Sequence, residues 1–328
     1  MFFKSKYGIV IVAMMMMVMS SSKISLSSDV LLPETVQTEF FAPVIEKLLA
    51  NGVSPQFIDK IINNEGTEFN ERFVRINVTG YLSKADYSSH YNNLSVKKSK
   101  EFLQSNNELL ELAELKYGIP KEVITSVLWV ETKHGNYLGN SHVISVYLST
   151  AMCTEKQYME MNLKNLREKF DGSSEELEKL EAKLYERSNK KVNWAIEQII
   201  ALEKIDSSSP VPALDLKGSW AGAFGISQFI PSSYVSWAVD GNGDGKVNLF
   251  DLPDAIFSVA NYLKSNGWGD DEVARRSAVF HYNNSSAYVD AVLKLANKIA
   301  EVEPLDDSNN HLPQLERPNR AQAGGDDY

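Results

Sequence analysis

Residues 127–135 read VLWVETKHG, and the fold turns on what the glutamate in that stretch is doing. Taken as a helix, the residues before it set an apolar stripe at Val123, Ile124, Val127 and Leu128. Spacing of three and four then carries the stripe onto Glu131. A carboxyl at the end of a core-facing stripe has two explanations. Either the helix end frays and Glu131 meets water, or the carboxyl belongs in a partly desolvated wall, where its pKa rises. The nine residues alone leave both open.

Helical patterning extends outward from this stretch in both directions. Residues 40–52 (FFAPVIEKLLANG) and 54–66 (SPQFIDKIINNEG) predict two short helices closed by glycine, the second with Ser54 as N-cap and Pro55 in its first turn. Residues 67–93 lack a clear period and are expected to be extended or looped. A long helix is predicted over 97–117, ending at Gly118, and Pro120 starts the helix that bears Glu131. Between 154 and 206, leucines at helical spacing alternate with charges. This predicts a helical hairpin with one solvated face: two short helices on the body, or a coiled-coil partner site. Residues 206–215 (DSSSPVPALD) have linker composition, and 251–301 returns to amphipathic helices. Few strand signals occur, so the class is mainly α.

The chain has 328 residues, 43% of them hydrophobic, with a formal net charge of −10. No strongly basic segment is present, which argues against nucleic acid or an anionic membrane surface as partner. One cysteine, Cys153, excludes an intramolecular disulfide and any multi-cysteine metal site. The histidines His90, His134, His142, His281 and His311 show no metal-binding spacing. At the N-terminus, Lys4 and Lys6 precede an apolar run over residues 7–19 and then SSSKISLSS. This layout predicts a signal peptide over residues 1–28, export to the periplasm and no lipid attachment, with an uncleaved anchor as the alternative. Residues 29–302 form the folded domain, with the helical insert at about 155–206, and residues 303–328 read as a disordered polar tail.

A second motif lies at 240–251, DGNGDGKVNLFD. It follows the twelve-residue EF-hand loop, with Asp240, Asn242 and Asp244 at positions 1, 3 and 5 and Gly245 at the sharp turn. Lys246 offers its carbonyl at position 7, Asn248 stands at 9 and Asp251 at 12. Hard oxygen ligands in this number suit Ca²⁺ in a structural role, although Asp251 replaces the usual bidentate glutamate. An Asx-rich turn without metal is the alternative.

Residues 217–240, KGSWAGAFGISQFIPSSYVSWAVD, combine small residues, aromatics and a few polar side chains. That composition suits a groove floor for a polyhydroxyl ligand, though tight helix packing also selects glycine and alanine. Taken in order, GIPKEVITSVLWVETKHGNYLG, GSWAGAFGISQFIPSSY, the cation loop, DAIFSVANYLKSNGW and HYNNSSAY closely resemble the B-type lytic murein transglycosylases. The resemblance runs over roughly residues 38–300.

It implies a lysozyme-like helical domain with an EF-hand-like calcium loop and small β or loop elements, working as a monomer on peptidoglycan glycan strands. It also implies Glu131 as the catalytic acid, with Ser219, Gln228, Tyr282, Asn283, Tyr288 and Tyr87 lining the saccharide groove. Two positions depart from the family. Lys156 and Gln157 stand where an arginine pair is usual some 25 residues after the glutamate, and His134 replaces an aromatic residue.

The implied reaction cleaves the β-1,4 bond between MurNAc and GlcNAc. Glu131 acts as acid and then as base on the C6 hydroxyl, giving a 1,6-anhydro end. No Asp or Glu in GSWAGAFGISQF offers the second carboxylate of ordinary glycosidases. A hydrolytic muramidase and a non-catalytic peptidoglycan-binding scaffold are the alternatives, and the charged insert is a candidate docking site for a cell-wall synthesis partner.

Overall fold

The helix that carries Glu131 packs against four others. The computed structural model describes residues 32–79 and 86–301; the expectations for residues 1–28 and 303–328 lie outside the described residues. In chain order the helices are α1 (Val36–Phe40), α2 (Ala42–Ala50), α3 (Pro55–Ile62), α4 (Glu71–Thr79), α5 (Asn93–Ser105), α6 (Asn107–Tyr117) and α7 (Lys121–Thr132). They continue with α8 (Val143–Ala151), α9 (Lys156–Lys169), α10 (Ser174–Ser208), α11 (Pro231–Trp237), α12 (Leu252–Ser265), α13 (Glu272–Tyr282) and α14 (Ser286–Ala300). Helix α7 is enclosed by α5, α6, α12 and α14, and the stripe Val123, Ile124, Val127 and Leu128 is buried in the main core.

Local chemistry sets the ends of these elements. The Ser54 hydroxyl caps α3 with Pro55 at its first position. Gly118 closes α6 at φ 69, a left-handed backbone that glycine adopts without steric cost. Ser173 and Glu176 form a reciprocal capping box at the start of α10. Strand β1 (Ser141–His142) pairs antiparallel with β2 (Lys217–Gly218), Ser141 opposite Gly218. This short ladder places the segment after α7 beside the glycine-rich segment before α11.

Three expectations are corrected. Residues 67–93 contain a helix, α4, and a 3-10 turn at Ser88–Tyr91. The buried face of α4 includes Asn77 beside Phe73, Val74 and Val78. Its polar side chain hides the apolar period while its amide bonds the carbonyls of Phe73 and Trp220. The helix expected over 97–117 breaks at Asn106, whose side chain bonds the Phe102 carbonyl and ends α5. The insert is not two short helices: α9 turns into a single helix of 35 residues, α10, that packs against α8 and α11. Among the described residues no helix is long and apolar enough to cross a membrane.

Candidate active site

Glu131 lies in the last turn of α7 and keeps partial access to solvent. The Tyr288 hydroxyl, from the first turn of α14, donates to Glu131 Oε1 at 2.6 Å. Burial pushes the carboxyl up to about 7, and the Tyr288 bond, which favours the charged form, opposes that rise. Among the described residues these are the two influences on it, and no other carboxylate contributes. The frayed-end explanation therefore fails: Glu131 stands in a wall, and near neutral pH it is poised between acid and base.

Three more of the sequence-predicted residues gather at this carboxyl. Tyr282 lies parallel to Tyr288, with ring centres 6.4 Å apart, and its hydroxyl donates to the Ser227 carbonyl at 2.5 Å. Tyr87 packs edge-on to Tyr288 at 5.7 Å. Its phenol is raised by burial and by the Glu131 charge, and it hydrogen-bonds the Asn283 side chain. Burial first, then the Glu131 charge, also lifts Tyr282 and Tyr288 well above the ordinary phenol range, so all three stay neutral donors.

The glycine-rich segment is fastened beneath this cluster. Thr132, the last residue of α7, donates to the Ile226 carbonyl at 2.8 Å and accepts from the Gly135 amide at 2.9 Å. Gln228 has a left-handed backbone, φ 50, and its amide donates to the carbonyls of Leu138 and Gly225. Ser219 accepts the Ala223 amide and so closes a tight turn whose floor is Gly222. A Cβ on Gly222, at φ 81, would run into the Tyr147 ring, and Tyr147 donates its hydroxyl to the Gly222 carbonyl. Ser219 and Gln228 thus hold local turns of this segment, and neither bonds Glu131 directly. Trp220 (49% exposed) and Tyr137 (73% exposed) project from the two segments that meet at Gly139 and Gly218.

The two departures are also resolved. His134 stacks on Phe102 with centroids 3.9 Å apart and planes 12° from parallel, and its Nε2 meets the Thr125 carbonyl. Burial pushes it down to about 4, so it packs as a neutral aromatic ring and leaves Glu131 unaffected. Lys156 and Gln157 line a recess with Glu39, Phe40 and Pro43, beside α1 and α2. On α10, Lys183, Arg187, Lys190 and Lys191 surround a separate recess of about 320 Å³ with Trp194. Trp194 packs edge-on to Tyr147, which reaches Gly222.

The cation loop follows α11. Asp240 accepts the amides of Gly243 and Gly245, and these backbone bonds hold its carboxyl below the usual range. Asn242 and Asp244 accept the amides two residues on, as does Asn248, while Asp251 is exposed at the start of α12. Asp254, 1% exposed and absent from the sequence expectation, accepts the amides of Gly241 and Asn248 and so closes the two ends of the loop.

Comparison with known proteins identifies the family and the fold. Membrane-bound lytic murein transglycosylase B of Escherichia coli K12 is 33% identical over 181 residues, 55% of this chain and 41% of that protein. The chain thus spans less than half the length of this curated relative. Two solved structures share the fold. Escherichia coli lytic transglycosylase SLT35 in complex with calcium has a TM-score of 0.59 at 21% identity, covering 79% of this chain and 92% of that one. Pseudomonas aeruginosa SltB3 in complex with NAG-anhNAM-pentapeptide has a TM-score of 0.59 at 20% identity, covering 84% of each chain. The profile of the transglycosylase SLT domain matches residues 37–280. With a desolvated glutamate under a tyrosine cluster and a match over most of its length, the chain belongs to the transglycosylase SLT domain family.

Proposed function

We propose that this chain is a peptidoglycan lytic transglycosylase that cleaves the MurNAc–GlcNAc β-1,4 bond without water. The observation that carries this is a single raised carboxyl, Glu131, with a tyrosine donor and no second carboxylate acting on it. Glu131 donates its proton to the glycosidic oxygen, and the C1–O bond breaks as the GlcNAc end leaves. The substrate's own 2-acetamido oxygen stabilises the cation at C1. Glu131, now charged and held by Tyr288, takes the proton of the C6 hydroxyl as O6 closes on C1. The product is a 1,6-anhydro end, and the acid is restored. Ser219, Gln228, Tyr282, Asn283 and Tyr87 line the groove that holds the strand.

The oxygen donors of the loop support Ca²⁺ as a structural ion. Asp240, Asn242, Asp244 and Asn248 are turned into the loop by its own amides; with the Lys246 carbonyl and Asp251 they would hold it. The ion would supply charge neutralisation for clustered carboxylates and no step of the reaction. Export to the periplasm through residues 1–28 accords with a cell-wall substrate.

Mass spectrometry of digested sacculi tests the function. Anhydro-terminated fragments from the wild type, and none from Glu131→Gln, are expected. Ends heavier by one water would make the protein a hydrolytic muramidase, and equal background release from both proteins would leave a binding scaffold.

A further inference from the structure

The turn that carries Tyr87 is joined to α7 through Lys133. This residue ends α7 with a left-handed backbone, φ 52, two positions beyond Glu131. Its Nζ lies 2.9 Å from His90 Nδ1. An ammonium has only donors, so His90 accepts as the neutral ring with its proton on Nε2. The same Nζ lies 4.5 Å from the centre of the Trp129 ring, so an indole face and an imidazole nitrogen share one cation. His90 belongs to the 3-10 turn Ser88–Tyr91, and its ring lies 5.6 Å from Tyr87. Tyr87 in turn packs on Tyr288, the residue bonded to Glu131. A closed circuit of side chains therefore leaves α7 at Lys133 and returns to it at Glu131.

Other elements hold the turn from outside. Ser95 on α5 bonds the Ser89 carbonyl, and Lys298 on α14 bonds that of Tyr91, with Lys294 also over the Tyr91 ring. The charges acting on His90 itself are Lys133 and Asp86; burial and Lys133 push its pKa down to about 4, and Asp86 opposes them. Lys133 does not act on the Glu131 carboxyl, which responds to burial and Tyr288.

We propose that Lys133 and His90 form a latch that holds Tyr87 against the groove face of Glu131, making Lys133 a positioning residue for substrate. This rests on the function proposed above. It is tested on the full chain carrying ¹⁵N-labelled histidine. In the wild type at pH 7, His90 should appear as the Nε2–H tautomer. Lys133→Met should move its protonation midpoint up toward the ordinary imidazole value of about 6.5 and speed amide exchange over residues 88–91. On soluble glycan fragments, Lys133→Met should raise KM about tenfold while kcat changes less than about threefold, and Lys133→Arg should restore most of the loss. An unchanged His90 midpoint in Lys133→Met overturns the proposal, as does a changed midpoint with unchanged KM. Binding of the same fragments to Glu131→Gln with and without Lys133→Met reads the latch without turnover. An inactive wild type would therefore sink the reaction, whereas equal affinities in that pair would sink the latch.

Discussion

Glu131 has a thermodynamic signature as well as a chemical one. Its folded value of about 7 lies above the ordinary 4.5, so the folded chain binds its proton more tightly than the unfolded chain. That contribution to stability is complete below about pH 4.5 and is lost as pH rises through 7. Allowing for the solvent that reaches the groove, the loss by pH 8 is about 2 kcal/mol. Glu131→Gln, which cannot ionise and still accepts from Tyr288, should match the wild-type melting temperature at pH 4.5 and exceed it at pH 8. In the same melting series Tyr288→Phe removes a donor that favours the charged form. The fall still begins near pH 4.5, but the pH at which it levels off should move upward, and a downward move would contradict the assigned hydrogen bond. At this scale the sequence was informative about identity and poor on orientation. Glu131, Tyr282 and Tyr288, singled out by their motifs, lie together. That His134 would turn its ring onto Phe102 depends on two left-handed residues that no pattern announces.

Helix α7 and the glycine-rich segment act together because Thr132 joins them. Its hydroxyl is buried, with bonds to the Ile226 carbonyl and the Gly135 amide. Thr132→Val keeps the shape and removes both bonds, leaving a buried donor and acceptor unpaired. A cost of about 1–3 kcal/mol is expected in urea unfolding, with reduced turnover at fixed substrate. A variant as stable and active as the wild type would mean the two elements are held elsewhere. Element boundaries were legible where a cap or proline marked them, as at Ser54, Pro120 and Pro231. They were lost where a polar side chain took a buried place: Asn77 concealed α4, and Asn106 split a run that looks continuous. The reach of α10 escaped for another reason, since a 35-residue helix brings Trp194, far along the chain, back against Tyr147.

Across the whole molecule, the charge of −10 is concentrated in part around the loop between α11 and α12, where Asp240, Asp244 and Asp251 lie close to Asp254 in the first turn of α12. Calcium binding only to the folded state should raise the melting temperature by mass action. Melting curves that coincide in millimolar calcium and in chelator would remove the ion from the account. Asp254 was invisible as part of this loop because it lies beyond the twelve-residue motif, yet it receives amides from both ends of it.

Among the described residues, those other than glycine with positive φ are Lys133, His134 and Gln228, at 52, 58 and 50. Two of them directly follow α7, and the third lies in the segment that Thr132 joins to it. A left-handed backbone costs an ordinary residue roughly 1–2 kcal/mol, so these three positions together store several kilocalories of conformational strain. Glycine at these positions would relax the backbone while deleting the latch, the stacked ring and the floor amide. Stability and groove geometry are therefore in direct opposition at these three residues, and variants selected for heat resistance alone would tend to dismantle the site.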